Sequence, residues 1–147
     1  AIIGSPFTPV DEEYATVLCK RVTAAGLENN VRFIPAVSRN ELRNWYRQAT
    51  LHVNCTEAGS GDKVVLEAMA CGTPSLFVTP VFKNVCGVYI EMLHCPISSP
   101  FAMAEKINSL LCDNHQRIKA GICARQRVVL FYSIRQCMRR IIETYVS

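Results

Sequence analysis

Chemistry-bearing residues concentrate between Thr56 and Pro74, in the run T-E-A-G-S-G-D-K-V-V-L-E-A-M-A-C-G-T-P. A loop holding Gly59, Ser60 and Gly61 runs directly into an apolar helix pattern that opens at Asp62 and Lys63. Such a loop exposes backbone N–H groups, and a helix start adds partial positive charge; together they favour phosphate. The known nucleotide fingerprints do not fit. Walker A needs adjacent Gly-Lys, whereas Asp62 separates Gly61 from Lys63, and the dinucleotide pattern would require glycine at Val64. From the loop alone, an ordinary strand-to-helix turn is an equal reading. Glu67 is sharper. It is the one charge inside Val-Val-Leu-Glu-Ala-Met-Ala, and that pattern predicts a buried side chain. An isolated buried carboxylate costs several kcal/mol, so it requires a partner. Two are open: Lys63, one turn earlier at i−4, or a pair of ligand hydroxyls beyond the helix N-terminus.

The elements around this run alternate strand and helix. Ile2–Gly4 reads as a short strand, and Asp11 as the cap of a helix with Tyr14, Val17, Leu18 and Val22 on one face, ending at Gly26. Val31–Pro35 is the next strand. Ser38 and Glu41 form a capping box for a helix with Leu42, Trp45, Tyr46 and Ala49 along its stripe. Leu51–Asn54 is a third strand, the helix after the loop runs from Asp62 to Cys71, Gly72 ends it, and Ser75–Thr79 is a fourth strand. This order predicts an α/β, Rossmann-like parallel sheet with helices on both faces. From Pro96 the chain is mostly helical, with one helix after Ser99 (Phe101, Ala104, Ile107, Leu111), one after Asp113, and one capped by Ser133 with Ile134, Met138, Ile141 and Tyr145 on its apolar face.

Composition narrows the function classes. The 147 residues are 50% hydrophobic and 19% charged, which excludes a disordered chain, and no apolar run approaches the roughly 18 residues of a membrane span. A net charge of +4 is too small to argue for nucleic acid. The eight cysteines lack C-x-x-C or zinc-finger spacing and read as buried reduced thiols, which suits a cytoplasmic protein. The only aspartates are Asp11, Asp62 and Asp113, so there is no D-x-D, and no metal site is expected. Arg117, Lys119, Arg125, Arg127, Arg135, Arg139 and Arg140 carry no acid among them. They read as a solvated face, with peripheral contact to an anionic membrane or to a partner domain as the alternatives. Nucleic acid is disfavoured, because no aromatics interleave with these arginines.

Several segments together resemble a known family. Val31-Arg-Phe-Ile-Pro35, Ser38-x-x-Glu41-Leu42, Trp45-Tyr46-x-x-Ala49, Leu66-Glu-Ala-Met-Ala-Cys-Gly-Thr-Pro74, Ile107-x-x-Leu110-Leu111 and Phe131-Tyr-Ser resemble the C-terminal, nucleotide-sugar half of a GT-B glycosyltransferase. The group 1 (family 4) type is nearest. The resemblance implies that residues 1–147 form a single, partial domain of this kind. It lacks the opening strand-helix unit with its basic Arg and Lys, and its partner would be an N-terminal acceptor domain of the same protein.

The resemblance also implies roles. Glu67 matches the second of two family glutamates spaced eight apart and would bond the ribose hydroxyls of the donor. The loop at Gly59, Ser60, Gly61, Asp62 and Lys63 would hold its diphosphate, and the turn at Pro35 and Ala36 would meet its base. The position eight before Glu67 is Gly59, so the first-glutamate role is unassigned; Glu57 and Asp62 are the nearest acids and the catalytic candidates. No cofactor is implied, the nucleotide-diphosphate sugar being a substrate, and transfer would be retaining and metal-independent. Two other classes stay open: a non-catalytic nucleotide-binding module, and a basic interaction domain on a Rossmann-like scaffold.

Overall fold

The computed structural model describes residues 1–56, 63–95 and 99–146. The chain divides into two compact units, Ala1–Leu42 and Arg43–Ser147, with the boundary inside a helix, Arg39–Gln48. The fold is α/β and Rossmann-like, built on two parallel strand pairs and closed by a helical tail.

The first unit is a β-α-β turn. Strand β1 (Ile2–Ile3) pairs in parallel with β2 (Phe33–Ile34), in register Ile2 to Phe33 and Ile3 to Ile34. Between them lies α1 (Pro9–Ala24). Its cap is Thr8 rather than the expected Asp11: Pro9 presets the first helical residue, so the helix opens early and Asp11 falls at the third position. There Asp11 completes a capping box, receiving the Thr8 amide at 2.9 Å while its own amide donates to Thr8 Oγ1 at 3.2 Å. No residue of this unit is buried; Leu18 and Val22 are half-buried, whereas Tyr14 and Val17 stay exposed.

The helix at the boundary, α2 (Arg39–Gln48), opens on the expected box. The Ser38 amide donates to Glu41 Oε2 at 2.9 Å and the Glu41 amide to Ser38 Oγ at 3.3 Å.

The second unit carries the core. Strands β3 (His52–Asn54) and β4 (Ser75–Phe77) pair in parallel, His52 opposite Ser75, and α3 (Lys63–Ala70) lies between them in the chain. All of β4 is buried, as suits a strand covered on both faces. Residues 80–95, to which the sequence pattern assigns nothing, hold two 3₁₀ turns and the short helices α4 (Lys83–Cys86) and α5 (Ile90–Leu93). Phe82, Val85 and Leu93 from this segment join Val65, Met69 and Leu76 in the core.

Helices α6 (Pro100–Cys112), α7 (Asn114–Tyr132) and α8 (Ile134–Val146) complete the tail. Ser99, Asp113 and Ser133 each accept a first-turn amide, as the sequence predicts for caps. The inward stripe of α6 is Met103, Ile107 and Leu110, whereas Phe101 and Leu111, expected on that face, point to solvent. The apolar residues Ile134, Met138, Ile141 and Tyr145 of α8 are exposed.

The buried face of α7 is a run of small residues, Ala120, Gly121 and Ala124, followed by Val128. It packs along α3 so closely that a Cβ on Gly121 would lie 2.4 Å from the Gly72 carbonyl oxygen and 3.1 Å from Pro74 Cδ. Gly121→Ala is therefore expected to lower stability by about 1–3 kcal/mol, although alanine is the better helix former. Thermal unfolding of the two proteins reads this directly, and an unchanged or raised Tm would contradict the close approach. A second prediction concerns Thr79, whose Oγ1 is fully buried and, among the described residues, without a hydrogen-bond partner. Thr79→Val removes that orphan at nearly constant shape and is expected to add about 1 kcal/mol in denaturant titration.

Candidate functional site

Helix α3 turns Val65, Ala68 and Met69 into the core and half-buries Val64 and Leu66. Lys63 and Glu67 fall on the opposite side, and both are exposed. The sequence pattern expected Glu67 to be buried. The helix corrects this, because its apolar positions suffice to fill an inward face wider than half a turn and leave the carboxylate outside. Lys63 and Glu67 stand at i, i+4, yet no ion pair joins them; among the described residues the ion pair recorded is Arg139–Glu143, at 2.8 Å. Lysine before glutamate is the weaker order for such a pair.

The charge of Glu67 acts instead on the Tyr46 hydroxyl. Tyr46 sits in the last turn of α2 with only 7% of its surface exposed. Burial first, then the negative charge of Glu67, push the phenol up to about 12. Tyr46 is thus a neutral donor near neutral pH. Its ring meets the edge of His52, with centroids 5.6 Å apart and planes at 89°. Across the strand pair, His52 Nδ1 lies 2.6 Å from Ser75 Oγ, a contact that the parallel register makes.

The Gly-Thr-Pro run that follows α3 fastens this arrangement. Gly72 takes the left-handed conformation (φ 88°) that ends the helix. The buried Thr73 then donates through Oγ1 to the Tyr46 carbonyl at 2.5 Å, and the Pro74 carbonyl accepts the His52 amide at 2.9 Å. A motif that the sequence presents as a family marker is, in the structure, the tie between the end of α2, β3 and the end of α3.

The other expected site residues divide as follows. Gly59, Ser60, Gly61, Asp62 and Glu57 lie outside the described residues. Pro35 and Ala36 belong to the first unit, where both are exposed and the Ala36 amide donates to Ser5 Oγ at 2.9 Å. The cysteines are all free thiols, but Cys19, Cys55 and Cys112 are exposed, against the expectation of burial; Cys86 and Cys95 are buried. Among the described residues no three His, Cys, Asp or Glu side chains converge as a metal-holding group, and no helix is long and apolar enough to cross a membrane.

Most of the basic stretch is exposed, as a solvated face would be (Lys119, Arg125, Arg135, Arg139 and Arg140), and four of its arginines also donate to backbone carbonyls. Arg117 donates to the Leu110 carbonyl at 2.8 Å at the end of α6, Arg125 to the Ala70 carbonyl at the end of α3, and Arg127 to the Asn84 carbonyl at 2.8 Å in α4. Arg140 donates to the Phe131 carbonyl near the end of α7. Each supplies a donor and a positive charge where a helix ends in unpaired carbonyls.

The model of the family "Glycosyl transferases group 1" matches residues 1–127. The chain belongs to the group 1 glycosyl transferases. The family match takes in Tyr46, α3 and most of α7, and stops short of α8. Over 133 residues the chain is 32% identical to a D-inositol 3-phosphate glycosyltransferase of Frankia alni, covering 85% of this chain and 31% of that protein. It is 34% identical over 119 residues to D-inositol 3-phosphate glycosyltransferase 1 of Catenulispora acidiphila (77% and 27%). A D-inositol 3-phosphate glycosyltransferase of Salinispora tropica is 30% identical over 139 residues (90% and 28%). The chain therefore spans about a third or less of the length of these relatives.

The sequence places Tyr46 on the apolar stripe of its helix, and the structure buries it there. The surroundings of Tyr46 give a pH prediction for this group 1 glycosyl transferase. Burial holds the His52 imidazole down at about 4, against an ordinary 6.5. Below pH 6.5 the unfolded chain takes up a proton at His52 that the folded chain refuses, so stability falls as pH drops from 6.5 towards 4 and is flat above. The slope from one such group is at most about 1.4 kcal/mol per pH unit. Burial also lowers His94, which adds to the same limb. His52→Gln is expected to flatten part of the acid limb in urea titrations between pH 4 and 7; an unchanged slope would contradict it.

Proposed function

We propose that this chain is the donor-binding part of a glycosyltransferase, and that Glu67 accepts hydrogen bonds from the ribose hydroxyls of a nucleotide-diphosphate sugar. The observation that carries the reading is the placement of Glu67. It lies within the family-matched segment, exposed on the outward side of α3, and carries no ion pair with Lys63. A carboxylate offers about four acceptor positions, which gives capacity for a diol.

The diphosphate is assigned to the backbone amides at Gly59, Ser60, Gly61 and Asp62, with Lys63 adding charge as the leaving group departs. Transfer is read as metal-independent and retaining, with no cofactor. The sequence holds no D-x-D, so the departing charge falls to amides and basic side chains. Free thiols throughout fit a reducing, cytoplasmic setting. The relatives' names make an inositol phosphate the acceptor to try first, presented by parts of the protein beyond this chain's match. The arginines of α7 and α8 that serve helix ends weigh against a basic interaction domain, whereas a non-catalytic nucleotide-binding module differs only in lacking transfer.

Calorimetric titration with UDP-, GDP- and ADP-sugars tests the reading, on the protein at its natural length and on its Glu67→Gln variant. One base is expected to bind, unaffected by EDTA, and Glu67→Gln is expected to weaken it about 10- to 100-fold, as for charge-assisted hydrogen bonds. Equal affinity of variant and wild type would overturn the assignment of Glu67. Binding without sugar transfer to any inositol phosphate would favour the non-catalytic module.

A further inference from the structure

The two strands of the first unit are joined by more than their own backbones. Their parallel ladder runs from the Ile2 amide, which donates to the Arg32 carbonyl at 2.8 Å, to the Gly4 amide, which donates to the Ile34 carbonyl at 3.0 Å. One rung further, such a ladder would bring the Ala36 amide to the Gly4 carbonyl. There the Ser5 hydroxyl accepts that amide instead, at 2.9 Å. Gly4 turns the chain out of the strand at this point, with φ 156°. A trans peptide points its carbonyl opposite to its N–H, and the described residues hold no cis bond. Fixing the Ala36 N–H on Ser5 therefore fixes the direction of the Pro35 carbonyl. Pro35 is exposed, and its carbonyl accepts from no other described residue.

The C-terminal ends of parallel strands are where such sheets bind ligands. The helices that follow them, α1 and α2, are closed at their starts. Asp11 and Glu41 bond back to their own caps, and each puts a carboxylate where an anion would sit. What this edge leaves open is neutral and polar, a hydroxyl and a peptide carbonyl, which suits the rim of a nucleobase better than a phosphate.

We infer that Ser5 is the positioning residue of a base-binding turn, its hydroxyl holding the Ala36 amide so that the Pro35 carbonyl faces an N–H on the edge of a nucleobase. This rests on the reading of the chain as a donor-binding part, with the base at Pro35 and Ala36. Ser5 acts through the turn and not on the base itself. Without its hydroxyl the Ala36 amide turns to water and the peptide plane is free to rotate. Proline does not prevent this, since its ring fixes φ and leaves ψ open.

The natural-length protein is compared with its Ser5→Ala, Ser5→Thr and Glu67→Gln variants by calorimetric titration. The probes are whichever of UDP, GDP and ADP binds the wild type most tightly, and the same nucleotide with the N–H of its base edge methylated. Ser5→Ala is expected to weaken the parent nucleotide about 3- to 10-fold, the range for one lost hydrogen bond, and to leave the methylated form unmoved. Ser5→Thr keeps the hydroxyl and is expected to keep the affinity. Ser5→Val matches threonine in shape without the hydroxyl; it is expected to behave as Ser5→Ala, and it serves if the alanine variant does not fold. Ser5→Ala binding like wild type, with Glu67→Gln still weakened, would overturn the positioning role and leave the donor site standing. Equal weakening of both nucleotides would overturn it in favour of a general structural role. A methylated nucleotide that binds the wild type as tightly as its parent would overturn the aimed carbonyl. A wild type that binds none of the three nucleotides would overturn the underlying reading, and the proposal with it.

Discussion

The second unit depends on one close approach, the contact between the turn at Gly72 and the side of α7 at Gly121. A helix normally keeps a neighbour's backbone at a distance set by its Cβ atoms. At Gly121 there is none, and the Gly72 carbonyl oxygen occupies the space that a Cβ would need, 2.4 Å from its ideal position. This fixes where α3 ends. The chain then turns through Gly72 in a conformation costly for other residues, and Thr73 and Pro74 emerge at a determined place. Thr73 anchors the end of α2 through the Tyr46 carbonyl, and Pro74 leads into the fully buried β4. The same contact that builds the core thus sets the distance between Tyr46 and α3.

Arginines finish what this packing begins. Helices that end against one another leave their last carbonyls without partners, and in a unit with several short helices such ends are many. Arg125 of α7 reaches the end of α3, Arg117 the end of α6 and Arg127 the end of α4, where it also lies over the Phe131 ring at 5.5 Å. Arg140 of α8 does the same for α7. A long, forked, always-charged donor suits this work better than lysine, since it meets a carbonyl at reach while its stem packs on apolar surface. A cluster of positive charge that looks like a binding patch in one dimension is here distributed over different helix ends.

Local signals were legible in the sequence, and those that depend on the turning of a helix in three dimensions were not. The Ser38–Glu41 capping box, the Ser99, Asp113 and Ser133 caps and the Gly72 stop are each set by residues within four positions of one another. The first helix starts earlier than the sequence reading, which takes Asp11 as its cap; the reciprocal bonding makes Thr8 the cap and puts Asp11 at the third helical position. Segment 80–95 gave no period because its helices are a single turn long, too short for one to develop. For α6 the stripe was read one face off: Met103 and Leu110 face inward, and Phe101 and Leu111 do not.

Glu67 shows the same limit at the site. Surrounded in sequence by apolar residues, it reads as a buried charge in need of a partner, and the choice lay between Lys63 and a ligand. Burial is the wrong premise, since the six apolar residues around it cannot all face one way and the helix must present some side to solvent. An exposed carboxylate requires no neutralising partner, and among the described residues Glu67 forms no ion pair. Its charge is felt nearby: Tyr46, buried at the end of α2, has its phenol pushed up to about 12 by burial first and by Glu67 next. The inward side of α3 serves the core, and the carboxylate on its outward side is left open to solvent and to a ligand.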